Sequence, residues 1–137
     1  MEQQEIQQKY MKYQVLDQNI KQLQQQLETA DQQIIAIMAT IQSLDEYKTV
    51  KDGTEILVPL NNGIFTKATL KKEDSVLINV GSSVIVEKSI EDTKKLIEKQ
   101  KEEIISIKEK MSINMNKLLE KASALEKELS QIMQSQI

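Results

Sequence analysis

Both ends of this 137-residue chain place apolar residues at seven-residue spacing, and the stretch between them does not. Near the N-terminus one seam reads Ile6, Tyr13, Ile20, Leu27, Ile34 and Ile41, and the other Leu16, Leu23, Ala30, Ile37 and Leu44, interrupted by Lys9. Near the C-terminus Ile90, Ile97, Ile104, Met111, Leu118, Leu125 and Ile132 recur without a gap, with Met115, Ala122 and Leu129 as the second seam. Lys94, Lys101 and Lys108 hold that second position earlier, so the apolar seam narrows there. A sustained seven-residue repeat without Gly or Pro forms a coiled-coil helix. The Gln-rich stretches between the seams, such as Gln24-Gln25-Gln26, then occupy the solvated helix face.

The pattern predicts three segments: a coiled-coil helix over 1–46, a connector over 47–88 and a second coiled-coil helix over 89–137. Ser89, with Asp92 three residues on, resembles a capping box, and Glu91 and Asp92 suit the positive end of a helix dipole. Each helix spans about 45 residues, roughly 67 Å at 1.5 Å per residue. Two matched helices joined by a compact connector fold back as an antiparallel pair, with both chain ends together and far from the connector.

The connector holds all three Gly and the one Pro, and its apolar period falls to about two. Four strands are expected, at Glu55 to Leu60, Ile64 to Leu70, Ser75 to Val80 and Val84 to Lys88. Asn61-Asn62-Gly63 and Gly81-Ser82-Ser83 tolerate positive φ and turn the strands into two hairpins, which Lys71 to Asp74 link. One face carries Ile56, Val58, Leu60, Ile64, Leu70, Val76, Ile78, Val80, Val84 and Val86, and the other Leu57, Phe65, Leu77 and Ile85. Two small hairpins with apolar residues on both faces need other chains to cover them and pair their edges, so oligomerisation through Leu57, Phe65, Leu77 and Ile85 is expected. Pro59 cannot donate to a ladder and fits an edge or a strand end. The fold class is α+β, mainly α: a long antiparallel coiled-coil hairpin with two β-hairpins at its connected end.

Composition narrows the function classes. Cys and His are absent, which removes thiol and imidazole chemistry, disulfides and Cys/His zinc sites. No Gly-rich phosphate loop is present, so no nucleotide or other cofactor is expected. Net charge is -3 and every one of the 18 basic residues is Lys, which argues against nucleic acid as a partner. A charged fraction of 28% and the absence of a long apolar run argue against a membrane span, and Glu2-Gln3-Gln4-Glu5 is not a signal sequence, so a cytoplasmic protein is expected. The pairs Asp45-Glu46, Glu73-Asp74, Glu91-Asp92 and Glu102-Glu103 lack His or Cys neighbours, and adjacent helical residues diverge by about 100°, so they read as solvated faces, turns and caps rather than metal or catalytic sites. Lys94, Lys95, Lys99 and Lys101 are interleaved with acids and read as an exposed helix laced with ion pairs.

The connector also carries a family resemblance. Gly53-Thr54-Glu55-Ile56-Leu57-Val58-Pro59-Leu60 and Asn62-Gly63-Ile64-Phe65-Thr66-Lys67-Ala68 resemble the first two strands of prefoldin subunits of the alpha type. Val76-Leu77-Ile78-Asn79-Val80-Gly81 and Val84-Ile85-Val86-Glu87-Lys88-Ser89 resemble the third and fourth strands of that archaeal-like, four-stranded class. Asn61-Asn62 and Ser82-Ser83 depart from the family, which often has more Gly or Ala in these turns. The resemblance implies an ATP-independent holdase, not an enzyme. In such an assembly two alpha and four beta-type subunits join strands into a double β-barrel, and non-native client proteins held at the coiled-coil ends pass to a group II chaperonin.

Apolar residues near the free ends beyond those a two-helix seam uses are the candidate client contacts. Tyr10, Met11 and Val15 lie off the N-terminal seam, and Leu119, Met133 and Ile137 off the C-terminal one. Ile6 and Ile132 hold the outermost seam positions, where they either close the last layer or join an exposed tip. Methionine suits varied clients because its unbranched thioether repacks easily. An alternative reading is a structural protein whose hairpins assemble end to end into filaments, as filament-forming relatives of the family do; a generic coiled-coil adaptor leaves the hairpins without a purpose and ranks last.

Overall fold

The seven-residue repeats form two long helices and the alternating stretch forms four strands. The computed structural model of the chain describes residues 2–135, in the order α1 (Glu2–Thr49), β1 (Glu55–Asn61), β2 (Ile64–Thr69), β3 (Ser75–Gly81), β4 (Val84–Ser89) and α2 (Ile90–Ser135). The first helix runs three residues beyond the expected Glu46, because Tyr47, Lys48 and Thr49 hold nothing that breaks a helix before Gly53.

Two compact units emerge, Met1–Ile34 with Glu102–Ile137, and Ile35–Lys101. In the first, the two helix segments run antiparallel. Ile20, Leu23 and Met115 form the buried cluster, with Leu27, Met111, Leu118 and Ala122 packed against it. These are seam residues, brought together because every seventh side chain returns to the same stripe of its helix. Ala30 is only 5% exposed, and Lys108 spans the seam to an ion pair with Asp31. Lys9, the other break in the seam, pairs across with Glu128 at 3.1 Å and along its own helix with Glu5 at 3.4 Å. The Glu128 carboxylate beside it raises the Lys9 pKa above a lysine's usual 10.5.

The second unit holds both hairpins and the helix segments next to them in sequence. Strands β1 and β2 pair antiparallel, as do β3 and β4, in two separate two-stranded sheets. Beyond the strand ends the first ladder continues through Gly53 N–H to Leu70 O and Leu70 N–H to Thr54 O, both 2.8 Å. Each hairpin has a bulge just before its turn, between Pro59 and Asn61 and between Asn79 and Gly81. Strict alternation puts Leu60 and Val80 on the Ile56 face; the bulges instead leave both without a cross-strand partner, and both are exposed.

The two turns differ. Gly63 alone takes positive φ in the first, at 74°, whereas Ser82 and Ser83 both take it in the second, at 49° and 60°. Two positive values in a two-residue loop match the twist of the strands, but a side chain there crowds its own backbone.

The base of the helices is tied to the hairpins by polar contacts within this unit. Ser89 Oγ accepts the Asp92 N–H at 3.1 Å and the Thr93 hydroxyl donates to Ser89 O at 2.7 Å, which caps α2 as its sequence predicts. Asp45 and Lys94 pair at 2.9 Å, and Lys48 pairs with Glu91. Lys72 donates from Nζ to Lys48 O at 2.6 Å, and its N–H donates to Asp52 Oδ1 at 2.8 Å. Ile90 and Thr93 are buried beside this collar.

Candidate functional site

Two regions carry the residues singled out from sequence: the free helix ends and the hairpin faces. At the ends, α1 and α2 approach each other with their seams inward, which leaves a groove on each side of the pair. One groove, of about 680 Å³, is lined by Tyr10, Tyr13, Glu126, Leu129, Ser130, Met133 and Gln134. The other, of about 570 Å³, is lined by Met11, Lys12, Val15, Leu16, Lys121, Ala124 and Leu125.

Tyr10 and Met133 thus meet in the first groove, and Met11 and Val15 in the second. Met11 is 64% exposed and Met133 61% exposed. Ile6 and Ile132 are half-buried, as seam residues closing an outer layer are. Leu119 is exposed and lines neither groove, and Ile137 lies outside the described residues. The sequence reading missed the second role of Tyr13, Leu16, Leu125 and Leu129: seam residues here also present an edge to the grooves, because a two-helix seam covers only one side of each. It also missed Ile35, Met38, Ile107 and Ile113, all exposed and all off the heptad positions. That offset was the available signal.

Cross-strand register defines the hairpin faces. In antiparallel strands directly opposed residues share a face, so Leu57 lies with Lys67, Pro59 and Phe65, and Leu77 with Glu87, Asn79 and Ile85. Leu57, Phe65, Leu77 and Ile85 are all exposed, Leu77 to 73%. On the opposite faces Ile56, Val76, Ile78 and Val86 are half-buried. Val76 and Ile78 border a groove with Ile37, Leu44, Leu96 and Ile97 of the helices. Leu77 and Asn79 also line that groove, yet Leu77 remains largely exposed, as do Leu57, Phe65 and Ile85. Among the described residues every strand also keeps one edge without a ladder partner.

Among the described residues no cluster of three or more acidic side chains could hold a metal ion, and no helix is long and apolar enough to cross a membrane. Surface apolar residues and open strand edges offer contacts with other polypeptides rather than groups for bond chemistry.

Known proteins give this arrangement its context. The prefoldin subunit family model matches residues 16–135. A prefoldin subunit alpha from Thermofilum pendens is 31% identical over 114 residues, covering 83% of this chain and 88% of that protein. Another, from Methanococcus maripaludis, is 30% identical over 113 residues, covering 82% and 76%. Among solved structures, the cryo-EM structure of filamentous PFD from Methanocaldococcus jannaschii superposes with a TM-score of 0.73 at 21% identity, covering 88% of this chain and 98% of that one. Its fold is shared. With matched helices, paired hairpins and this breadth of similarity, the chain belongs to the prefoldin subunit family and, with its four strands, to the alpha type.

Proposed function

We propose that this chain is a subunit of an ATP-independent chaperone that captures non-native proteins at its free helix ends and passes them to a group II chaperonin. The observation that carries the reading is the pair of apolar grooves flanking the helix ends, lined by Tyr10 and Met133 on one side and Met11 and Val15 on the other. Open grooves on a helix pair bind through side chains alone, without directional backbone bonds, which suits clients of unrelated sequence. Val15, Met11, Tyr10 and Met133 are the principal contacts in this proposal, with Leu119, Ile6, Ile132 and Ile137 at its margin.

The hairpins serve as the assembly platform of residues 47–88, with 1–46 and 89–137 as the coiled-coil arms. Leu57, Phe65, Leu77 and Ile85 pack against beta-type prefoldin subunits in a hexamer of two alpha and four beta subunits, where strand edges close into barrels. The subunit works in the cytoplasm and performs no catalysis. A second reading, assembly into filaments through the hairpins, is favoured by the fold shared with a chain of a filamentous PFD.

Light scattering on this chain alone, and after mixing with a beta-type subunit from the same source, separates the two readings. A six-chain species holding two copies of this chain is expected; large polymers from this chain alone support the filament, and an unchanged monomer in both samples overturns both. In the assembled species, replacing Met11, Val15 and Met133 by Ser is expected to reduce protection of a denatured client from aggregation several-fold at unchanged mass. Unchanged protection removes the tip reading.

A further inference from the structure

The two hairpins are built alike and differ at one backbone group on their outer edges. Each pairs its strands in the same register with a bulge just before the turn, and Pro59 opposite Phe65 holds the place in the first that Asn79 opposite Ile85 holds in the second. Opposed residues in antiparallel strands alternate between pairs that bond to each other and pairs whose N–H and C=O point away from the hairpin. Leu70 donates to Thr54 O and accepts from Gly53 N–H, so it faces β1; counting back along β2, Ala68 and Thr66 bond to Ile56 and Val58. Glu55, Leu57 and Pro59 therefore direct their backbone groups outward. Ile90 N–H donates to Asp74 O, and the same count along β4 turns Val76 and Ile78 inward and Ser75, Leu77 and Asn79 outward. The outer edge of β3 thus offers an N–H and a C=O at each of those three residues, whereas that of β1 lacks the donor at Pro59.

The edge of β3 also borders a groove. About 470 Å³ in volume, it is lined by Val76 to Asn79 of β3 and by Ile37, Leu44, Leu96 and Ile97 of the helices. Among the described residues no β4 residue and no charged side chain lines it, so it lies on the open side of β3 and is apolar where an added strand enters. A strand paired along that edge points every second side chain to the helix side, into the groove.

We propose that the outer edge of β3, rather than that of β1, takes a strand of a neighbouring beta-type subunit along its whole length, with the ladder continued through Ser75, Leu77 and Asn79 and an aliphatic side chain of the incoming strand set in the groove. The proposal rests on the reading of the hairpins as the assembly platform and names the edge at which that platform is joined. A client of unrelated sequence has no fixed register with which to place a side chain there; a subunit strand has. A second copy's β3 does not fit, because its Val76 and Ile78 already face its own helices. On β1, Pro59 stops an added ladder short of the turn.

The test mixes the full chain with a beta-type subunit from the same source and follows association by titration, native mass and residue-resolved hydrogen exchange. In the assembled species the Leu77 and Asn79 amides are expected to exchange far more slowly than in the free chain. Asn79→Pro removes the outward donor without breaking a bond between β3 and β4. Asn79→Val, which keeps that donor, controls for the side-chain bond from Gly81 N–H to Asn79 Oδ1. Asn79→Pro should associate about ten-fold or more weakly than Asn79→Val, the loss expected when a buried acceptor is left unpaired. Pro59→Val should leave association as it is, and Thr40→Arg, which fills the groove from an exposed helix position, should weaken it. Unchanged exchange at Leu77 and Asn79 in a six-chain species overturns the edge proposal and leaves the platform reading standing. Large polymers of this chain alone, with those amides protected, overturn the beta-type partner, and an unchanged monomer in the mixture overturns proposal and platform together.

Discussion

The helix ends and the hairpins both leave large apolar side chains in water, yet they expose them on different kinds of backbone. At the helix ends every backbone N–H and C=O beyond the terminal turns is bonded within its own helix, so Tyr10, Met11, Val15 and Met133 can attract a partner only through side-chain burial. On the hairpins Leu57, Phe65, Leu77 and Ile85 sit on strands whose outer edges have unused donors and acceptors. A strand edge demands a partner of matching direction and register, whereas a helix groove accepts anything apolar that fits. That difference is why the proposed function gives permanent assembly to the strand edges and changing clients to the helix ends.

The sharpest way to break this comparison is to charge the strand faces. Leu77→Asp with Ile85→Asp should lower the association constant by about two orders of magnitude or more, because each apolar side chain taken from water contributes about 1.5–3 kcal/mol. Native mass measures the loss, and helicity by circular dichroism should stay unchanged because both residues are already exposed in the single chain. If the oligomer survives, the open faces are not the assembly surface and the contrast with the helix ends disappears.

A smaller effect sharpens the comparison from within the hairpins. Replacing Ser82-Ser83 by Asn-Gly should stabilise the second hairpin by about 1 kcal/mol, since both serines hold positive φ that Asn and Gly adopt more readily. Hydrogen exchange of the β3 and β4 amides should slow, while amides of the helix ends stay as they were.

The smallest effect concerns the collar at the helix base. Lys48 holds the Glu91 carboxyl below the usual carboxylate value of 4.5, and Asp45 holds the Lys94 ammonium above the usual 10.5. Stability from Glu91 is therefore present above pH 4.5 and lost as pH falls through its lowered value. Stability from Lys94 is present below pH 10.5 and lost as pH rises through its raised one. Glu91→Gln should flatten only the acid limb of melting temperature against pH, and Lys94→Met only the alkaline limb, each by less than the turn exchange because these pairs are solvent-screened.

Much of the architecture is legible in the sequence. Ile20, Leu23 and Met115 announced themselves as core by spacing alone, Ser89 as a cap by its place before an acid-rich first turn, and Gly63 as a turn by its tolerance of positive φ. Met11, Val15, Tyr10 and Met133 were legible as residues with no seam to join. Less visible were the bulges at Leu60 and Val80, since alternation assumes an unbroken ladder and one inserted residue leaves no compositional mark.

The sequence by itself determined which residues face inward on each helix, how many strands follow, and where the chain turns, because those depend on periods of 3.5 and 2 and on the φ tolerance of single residues. Only the tertiary structure decided that Tyr10 meets Met133 in one groove and Met11 meets Leu125 in another, and that Lys108 reaches Asp31. Those pairings depend on the stagger of two antiparallel helices. Sliding one helix by a heptad keeps every seam residue on a seam while it changes every partner.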